Sequence, residues 1–183
     1  MSTILKNKTI WTIGHSTHEL EKFVKLLKAH NIEIVADIRS LPGSHKYPQF
    51  NKENLELTLP ANGIKYIHSK ELGGRRKALK NSPNKAWQHE SFRGYADYME
   101  TGEFRLAILG LEQMAENNRV AYMCSESLWW RCHRSMVSDY LKAKGWEVLH
   151  IMSNGKSTPH SYTKPAQIIN GELTYRVTPE TLS

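Results

Sequence analysis

The segment VAYMCSESLWWRCHR, residues 120–134, joins an apolar run to a helical pattern through a polar turn. The run Val120–Met123 is typical of a short buried strand. The apolar side chains that follow recur at helical spacing: Met136, Val137, Tyr140 and Leu141. The segment therefore predicts a strand, a turn and a helix over residues 132–144 that ends at Gly145. Such a junction presents free N–H groups and a partial positive charge, which favour an anion.

The alternation of strand and helix continues in both directions along the chain. Apolar runs predict further strands at 10–13, 32–38, 64–67 and 147–152. Helical spacing predicts helices over 20–27, over 53–59 with a stop at Pro60, and over two segments between 95 and 114. The turn dipeptide Asn170-Gly171 predicts a C-terminal hairpin. We therefore predict one α/β domain over residues 1–183, with a mainly parallel sheet of about five strands and flanking helices.

The composition describes a basic chain of the size of one domain. Its 183 residues carry a net charge of +7, and the sequence pI is near 9.4. This charge favours anionic partners, namely nucleic acids, nucleotides or phosphorylated metabolites. The chain has no apolar run that could span a bilayer and no signal-peptide core, so we expect no membrane partner and a cytoplasmic location. The two cysteines are expected to be free thiols in a reducing compartment, and the oligomeric state is left open.

Polar side chains follow the predicted strands at the edge where parallel strands end. His15 and Ser16 follow the first strand, Asp37 and Arg39 close the second, and Glu126 follows the fourth. Ligands of parallel sheets bind beyond the carboxyl ends of the strands. Residues that are distant in sequence are therefore expected to converge on one site.

Each of these residues has a candidate role in catalysis or anion binding. Glu126 is the candidate general acid or base, and Asp37 and His15 are expected to orient it and the substrate. The arginines expected to hold an anion are Arg39, Arg131 and Arg134. Structural alternatives remain open, because Asp37 and Arg39 face the same side of a strand and can pair with each other. Glu126 can likewise cap its own helix or pair with an arginine of the same segment.

Cys132 and His133 suggest a thiol nucleophile, but the predicted helix argues against a bond between them. Adjacent residues on a helix diverge by about 100°, so the two side chains are not expected to hydrogen-bond to each other. A buried core role for Cys132 is an open alternative, because it shares the apolar stripe of the helix. The cysteines and histidines of the chain follow no zinc-ligand spacing, so no metal and no other cofactor are predicted.

A long irregular segment is predicted over residues 69–91. Loops of this length in compact domains are uncommon and are often functional. The segment carries a dense basic patch whose members are expected to contact nucleic acid: Arg75, Arg76 and Lys77. A solvated basic surface is the alternative interpretation of this patch. The tryptophans that can stack on bases or instead belong to the core are Trp87, Trp129 and Trp130.

Ordered sequence blocks cover nearly the whole chain. They are TIGHS at 12–16, DIRSLPGS at 37–44, ELGG at 71–74, YADYM at 95–99, CSE at 124–126, CHR at 132–134 and HI at 150–151. In this order they resemble the DUF488 family of prokaryotic proteins, for which no reaction is established. The resemblance implies a site pattern formed by His15, Ser16, Asp37, Arg39, Glu126, Cys132, His133 and Arg134. From the same blocks we add three candidate substrate-binding residues: Ser44, Gly73 and Gly74.

The sequence thus favours a cytoplasmic enzyme that acts on an anionic, phosphate-containing substrate such as a nucleotide or a nucleic-acid component. Hydrolase or lyase chemistry is expected rather than redox chemistry, because the chain has no dinucleotide-binding fingerprint. The residues predicted to line one concave site are Arg39, Glu126, Cys132 and His133. A non-catalytic nucleic-acid-binding protein is the main alternative, and a partner protein with a purely structural polar network is a third.

Overall fold

A six-stranded sheet lies at the centre of the computed structural model, which describes residues 8–177. Its strands are β1 (Thr9–Gly14), β2 (Ile34–Asp37), β3 (Lys65–His68), β4 (Val120–Cys124), β5 (Glu147–Ile151) and β6 (Ser157–Pro159). Their order across the sheet is β3-β2-β4-β1-β5-β6. The pairs among β1 to β5 are parallel, and β6 is antiparallel to β5. The predicted mainly parallel sheet is confirmed.

The strands β4 and β1 lie side by side in the middle of the sheet. Every residue of β4 is buried, and its last residue, Cys124, pairs in register with Gly14 at the end of β1. A strand that is covered by helices on both faces has no polar side, which explains the continuous apolar run in the sequence. The edge strand β6 was not predicted, because the sequence Ser157–Pro159 is short and polar and shows no alternation.

Five α-helices within residues 8–177 cover the two faces of the sheet. They are α1 (Leu20–Ala29), α2 (Lys52–Ala61), α3 (Glu90–Met99), α4 (Gly102–Asn117) and α5 (Arg134–Ala143). Phe23 of α1 and Leu55 of α2 are buried in the core on one face. Tyr95 of α3, Phe104 of α4 and Met136 of α5 are buried in the core on the other face. The same part of the chain contains no helix with the length and apolarity needed to cross a membrane.

The helix that follows β4 begins later than the sequence predicts. Trp129–Arg131 forms a short 3-10 turn, and Cys132 is extended, with φ −130° and ψ 149°. The helix α5 then begins at Arg134. The sequence predicts Cys132 in the helix because it lies four residues before Met136. In the structure Cys132 is buried, as such spacing suggests, but it is not helical. The 100° rotation between helix neighbours therefore does not apply to Cys132 and the residue after it.

Two turn signals have different outcomes. The predicted hairpin is confirmed as β7 (Gln167–Ile169) and β8 (Glu172–Thr174), with positive φ angles at Asn170 and Gly171 as a tight hairpin turn requires. The predicted helix stop at Pro60 is wrong, because Pro60 lies in the last turn of α2. A proline in the last turn removes one helical hydrogen bond there, and the chain leaves the helix only at the following residues.

The long segment 69–91 is mostly irregular, as predicted, and α3 holds it in place. The carboxylate of Asp97 accepts hydrogen bonds from Ser82 Oγ at 2.6 Å and from Asn84 Nδ2 at 2.9 Å. The segment packs closely against α3 at Gly94, where a Cβ atom would lie 2.2 Å from the carbonyl oxygen of Arg76. The absence of a side chain at this position therefore allows the basic segment to pack on the helix.

We predict that Gly94→Ala lowers the free energy of unfolding while Gly110→Ala raises it. Both glycines lie inside helices, so alanine gains about 0.5–1 kcal/mol of helix propensity in each. Only Gly94 would bring its Cβ into backbone, whereas Gly110 has no neighbouring atom within 4 Å. The net decrease in the free energy of unfolding of Gly94→Ala is expected to be about 1–3 kcal/mol. Urea unfolding of both variants measures this, and equal stability of the two would contradict the packing.

Candidate functional site

Asp37 and Arg39 form a buried ion pair at the end of β2. The guanidinium donates from Nε to Asp37 Oδ1 at 2.8 Å and from Nη2 to Oδ2 at 2.6 Å. Tyr66 OH also donates to Asp37 Oδ2 at 2.7 Å, and Arg39 Nη2 donates to the carbonyl of Phe50 at 2.8 Å. The two residues lie on the same side of the strand, as their spacing predicts. The charge of Arg39 is therefore already balanced by a carboxylate.

His15 completes this network from the end of β1. Its Nδ1 lies 2.9 Å from the carbonyl of Ser16, so it carries the proton, and Nε2 accepts from Arg39 Nη1 at 3.2 Å. The ring stacks on Phe50 with 4.2 Å between centroids. Burial, reinforced by the charge of Arg39, lowers the pKa of His15 to about 4. The imidazole is thus neutral and holds the arginine in position.

A second cluster joins the end of β4 to the start of α5. The sulfurs of Cys124 and Cys132 and the Nδ1 of His133 lie within 4.8 Å of one another. Cys132 Sγ is 3.6 Å from His133 Nδ1, and His133 Nε2 is 3.2 Å from the carbonyl of Ile38. Because a carbonyl only accepts, Nε2 carries a proton, and Nδ1 faces the sulfur. The expectation that these neighbours would not hydrogen-bond to each other is wrong, because Cys132 precedes the helix.

The two thiols of this cluster have opposite pKa shifts. The Cys124 thiol donates a hydrogen bond to the Cys132 sulfur, which lowers the pKa of Cys132 to about 6. The charge of Arg134 and its backbone N–H, 3.5 Å from the sulfur, act in the same direction against the effect of burial. The same hydrogen bond between the two thiols, together with burial, raises the pKa of Cys124 to about 12. Cys132 is therefore the residue of the pair that holds a thiolate.

Arg134 fixes the turn between β4 and α5. Its side chain is buried, with Nη1 donating to Thr12 Oγ1 at 3.0 Å and Nη2 donating to the carbonyls of Glu126 and Ser127. A Cβ atom on Gly14 would lie 2.9 Å from Nη2 and would overlap the carbonyl of Glu126. The turn can approach β1 only because Gly14 has no side chain. Arg134 thus binds backbone and hydroxyl oxygens of the protein itself.

The other two charged residues of the turn are exposed to solvent. Glu126 is exposed, and its carboxylate accepts a hydrogen bond from the backbone N–H of Leu128 at 3.1 Å. Arg131 is also exposed, at the end of the 3-10 turn. Arg131 and the buried Arg134 therefore do not share one helix face, contrary to their spacing in the sequence.

Two neighbouring cavities open at this edge of the sheet. The smaller, of about 160 Å³, is lined by Arg39, Ser40, Leu41, Gly74, Arg75, Cys124, Ser125 and His133. The larger, of about 470 Å³, is lined by Ser40, Leu41, Lys70, Glu71, Gly74, Arg75, Arg76, Tyr98 and Glu103. Four residues line both cavities, so the two spaces adjoin. Arg75 is one of the four and has a φ of 60°, a conformation that is uncommon outside glycine.

Comparison with known families matches residues 19–141 to the family described as "Domain of unknown function DUF488". The chain belongs to the DUF488 family. Comparisons with curated proteins and with solved structures give no match. The DUF488 match covers most of the chain and includes both arginines of the networks above and the whole Cys-His cluster. His15 and Ser16 precede the matched residues.

The predicted site residues divide into those that line the smaller cavity and those that do not. Arg39, Gly74 and His133 line it, and Cys132 lies behind His133. The candidates outside the lining are His15, Ser16, Asp37, Ser44, Gly73, Glu126, Arg131 and Arg134. The lining residues absent from the predicted site are Ser40, Leu41, Cys124 and Ser125. These four lie at the ends of β2 and β4 or just beyond, which is the signal that singled out Arg39.

Three of the predicted substrate-binding residues shape the backbone. Ser44 Oγ accepts hydrogen bonds from the N–H groups of the two residues at 46 and 47. A Cβ on Gly73 would lie 2.4 Å from Ser40 Oγ, and a Cβ on Gly74 would lie 3.0 Å from His133 Nδ1. The two glycines therefore let the segment 69–91 pass close to the site.

In the basic patch, one residue is held by contacts within the protein and two are exposed to solvent. The guanidinium of Arg76 lies 3.6 Å from the ring centroid of Tyr98 and donates to two carbonyls of its own segment. Arg75 and Lys77 are exposed. Trp87 stacks at 4.7 Å on a phenylalanine of α3 and packs on the core, so its ring is not presented to a base.

A separate buried network lies between β5 and α5. His160 Nε2 donates to Asp139 Oδ1 at 2.9 Å, and His150 Nε2 lies 2.9 Å from His160 Nδ1 in a second hydrogen bond. Burial lowers the pKa of His150 to about 2. Trp129 stacks on His150 with 4.2 Å between centroids, while Trp130 is half exposed. His150 therefore belongs to this inner network and not to the cavity lining.

We predict that His15 makes the protein less stable in acid. Its pKa is about 4 in the fold and 6.5 when unfolded, so the unfolded chain takes up the proton first. The stability that the neutral ring contributes is complete above pH 6.5 and is lost as the pH falls through 4. The shift corresponds to about 3 kcal/mol. His15→Gln keeps an acceptor for Arg39 but does not titrate.

Urea unfolding between pH 7 and pH 4 measures the difference between wild type and His15→Gln. The other histidines are common to both proteins and cancel in this comparison. The wild type is expected to lose more stability than the variant over this range. Parallel pH profiles would show that His15 is not held neutral.

Proposed function

We propose that this DUF488 chain is an enzyme of hydrolase or lyase type that acts on an anionic, phosphate-containing substrate such as a nucleotide or a nucleic-acid component. The observation that carries the proposal is the pair of adjoining cavities, with an acid–base couple at the smaller one and cationic side chains at the larger one. We also propose a cytoplasmic location, which is supported by the two cysteines being free thiols.

The sizes of the cavities favour a substrate with two parts. Pockets for small molecules commonly measure about 300–1,000 Å³, so the smaller cavity can admit only a reacting group. The larger cavity falls within that range and can admit the body of a nucleotide-sized molecule. A substrate that spans both would pass the residues that the cavities share, which include Arg75 and the backbone at Gly74.

Arg75 is the candidate anion-binding residue. Its guanidinium forms no hydrogen bond or ion pair with any residue from 8 to 177, it is exposed, and it lines both cavities. The guanidinium of Arg39 already binds a carboxylate, and that of Arg134 is buried against Thr12 and the turn. The strained φ of Arg75 is consistent with a functional position, because such strain clusters at ligand-binding sites.

Cys132 and His133 are the candidate acid–base couple. A pKa of about 6 lets the Cys132 thiol exchange its proton near neutral pH, which is the range in which general acids and bases are most effective. His133 lines the smaller cavity and its Nδ1 contacts the Cys132 sulfur, so a proton can move between the thiolate and Nδ1 at the wall of the cavity. We therefore propose His133 rather than the exposed Glu126 as the group that faces the substrate.

We predict that Arg75→Gln weakens the binding of phosphate and nucleotides, whereas Arg131→Gln leaves it unchanged. Both side chains are exposed and basic, but only Arg75 lines the cavities. Loss of one charge-assisted hydrogen bond is worth about 1.5–3 kcal/mol, or roughly 10- to 100-fold in Kd. Calorimetric titration of inorganic phosphate and of nucleoside monophosphates, chosen from a thermal-shift screen, measures the effect. Equal weakening by both substitutions would indicate a general charge effect and would contradict the site.

Nucleic-acid binding without catalysis is the second candidate function. It is favoured by the exposure of Arg75 and Lys77 beside the larger cavity. For this function we predict that a single-stranded oligonucleotide binds with a strong salt dependence, and that Lys77→Gln reduces the slope of log K against log salt by about 1. Fluorescence anisotropy at several salt concentrations measures the slope. Binding that is indifferent to salt would exclude a phosphate-driven contact.

A further inference from the structure

We propose that Cys124, Cys132 and His133 form a binding site for a soft divalent metal ion such as Zn²⁺. The inference goes beyond the proposed function: it shares Cys132 and His133 with the proposed acid–base couple, whereas anion binding at Arg75 requires none of these three side chains. It rests on the geometry of the cluster and on the orientation of the imidazole. Thiolate sulfur and imidazole nitrogen are the donors that Zn²⁺ prefers.

The distances within the cluster fit a tetrahedral metal site. With Zn–S near 2.3 Å and Zn–N near 2.0–2.1 Å, the sulfur–nitrogen edge of a tetrahedron measures about 3.6 Å and the sulfur–sulfur edge about 3.8 Å. The distance from Cys132 Sγ to His133 Nδ1 is 3.6 Å, and all three donor atoms lie within 4.8 Å of one another. Only small side-chain shifts separate this arrangement from ideal coordination.

The imidazole of His133 is oriented as a metal ligand requires. Its Nε2–H donates to the carbonyl of Ile38, which leaves the lone pair of Nδ1 directed at the sulfurs. A histidine that binds a metal commonly donates its other ring N–H to a carbonyl in this way. The missing Cβ of Gly74, which would lie 3.0 Å from Nδ1, keeps space beside the nitrogen.

A divalent ion at this site requires both sulfurs to be deprotonated. Binding replaces the thiol protons by metal–sulfur bonds and releases them to solvent, so two thiolates neutralise a divalent ion without any redox step. The charge of a bound ion itself drives the deprotonation of a coordinating thiol, which would release the Cys124 proton as well.

The cluster leaves one position of a tetrahedral ion open. No fourth cysteine, histidine or carboxylate joins the group within residues 8–177. Cys124 and His133 line the smaller cavity, through which water or an anionic ligand can reach the open position. Three protein ligands with one open position are typical of reactive zinc sites rather than structural ones. When the ion is bound, Cys132 and His133 serve as ligands and not as an acid–base couple.

Cobalt titration of the reduced full-length chain tests the site. Co²⁺ occupies zinc sites and reports thiolate ligands by a sulfur-to-cobalt charge-transfer absorption. We expect one Co²⁺ per chain with this absorption, and its displacement by Zn²⁺. Cys132→Ser and Cys124→Ser are expected to reduce the absorption, and His133→Gln is expected to weaken binding by at least about 10-fold. His45→Gln, at an exposed histidine outside both cavities, is the matched control and is expected to bind as wild type does.

Comparison of cobalt binding by the wild type and by His133→Gln tests the metal site even where a cysteine variant fails to fold. Absence of the charge-transfer absorption in the reduced wild type overturns the proposal, as does equal affinity in wild type and His133→Gln. Titration of phosphate in the presence of a chelator keeps the two proposals separate. Phosphate binding that depends on Arg75 without any metal site would leave the proposed function standing, whereas cobalt binding without phosphate binding would leave only the metal site.

Discussion

The position of the candidate site depends on one buried cation, the guanidinium of Arg134. It joins the middle of β1, through Thr12, to the carbonyls of the turn that follows β4. That turn determines where Cys132 leaves the 3-10 segment and therefore where its sulfur meets His133. Because Gly14 allows the turn to contact β1, a glycine and an arginine far apart in the sequence together set the geometry of a cluster to which neither contributes a donor side chain.

The two buried arginines differ in how their charge is balanced. Arg39 has a carboxylate partner in Asp37, and its other nitrogens bind a carbonyl and a neutral histidine. Arg134 forms no ion pair with a carboxylate among residues 8–177, and a buried charge without a counter-charge is costly. The Cys132 sulfur, whose pKa is lowered to about 6 by the hydrogen bond from Cys124 and by Arg134, can supply that counter-charge when it is deprotonated. The charge of Arg134 therefore affects both the turn that it holds and the acidity of this thiol.

The five parallel strands could be predicted because each contains a short apolar stretch, most clearly Val120–Met123 of β4. The pairing of Asp37 with Arg39 also follows from strand periodicity, and it was one of two open interpretations. The start of α5 could not be predicted, because Cys132 is buried at helical spacing without being helical. Glu126 was assigned to the site from its place after β4, but it lies in the turn with its side chain exposed and outside the lining of the smaller cavity. The spacing of residues in a turn does not determine which side chains face a cavity.

The Cys-His cluster could not be predicted from the spacing of its residues in the sequence, for a general reason. Zinc motifs are recognised when two ligands lie close together on one element, as in two cysteines separated by two residues. Here Cys124 ends a strand and Cys132 precedes a helix. The turn between them is held by the Arg134 guanidinium, which donates hydrogen bonds to the backbone carbonyls of Glu126 and Ser127. The donors are therefore brought together by the fold before any ion binds.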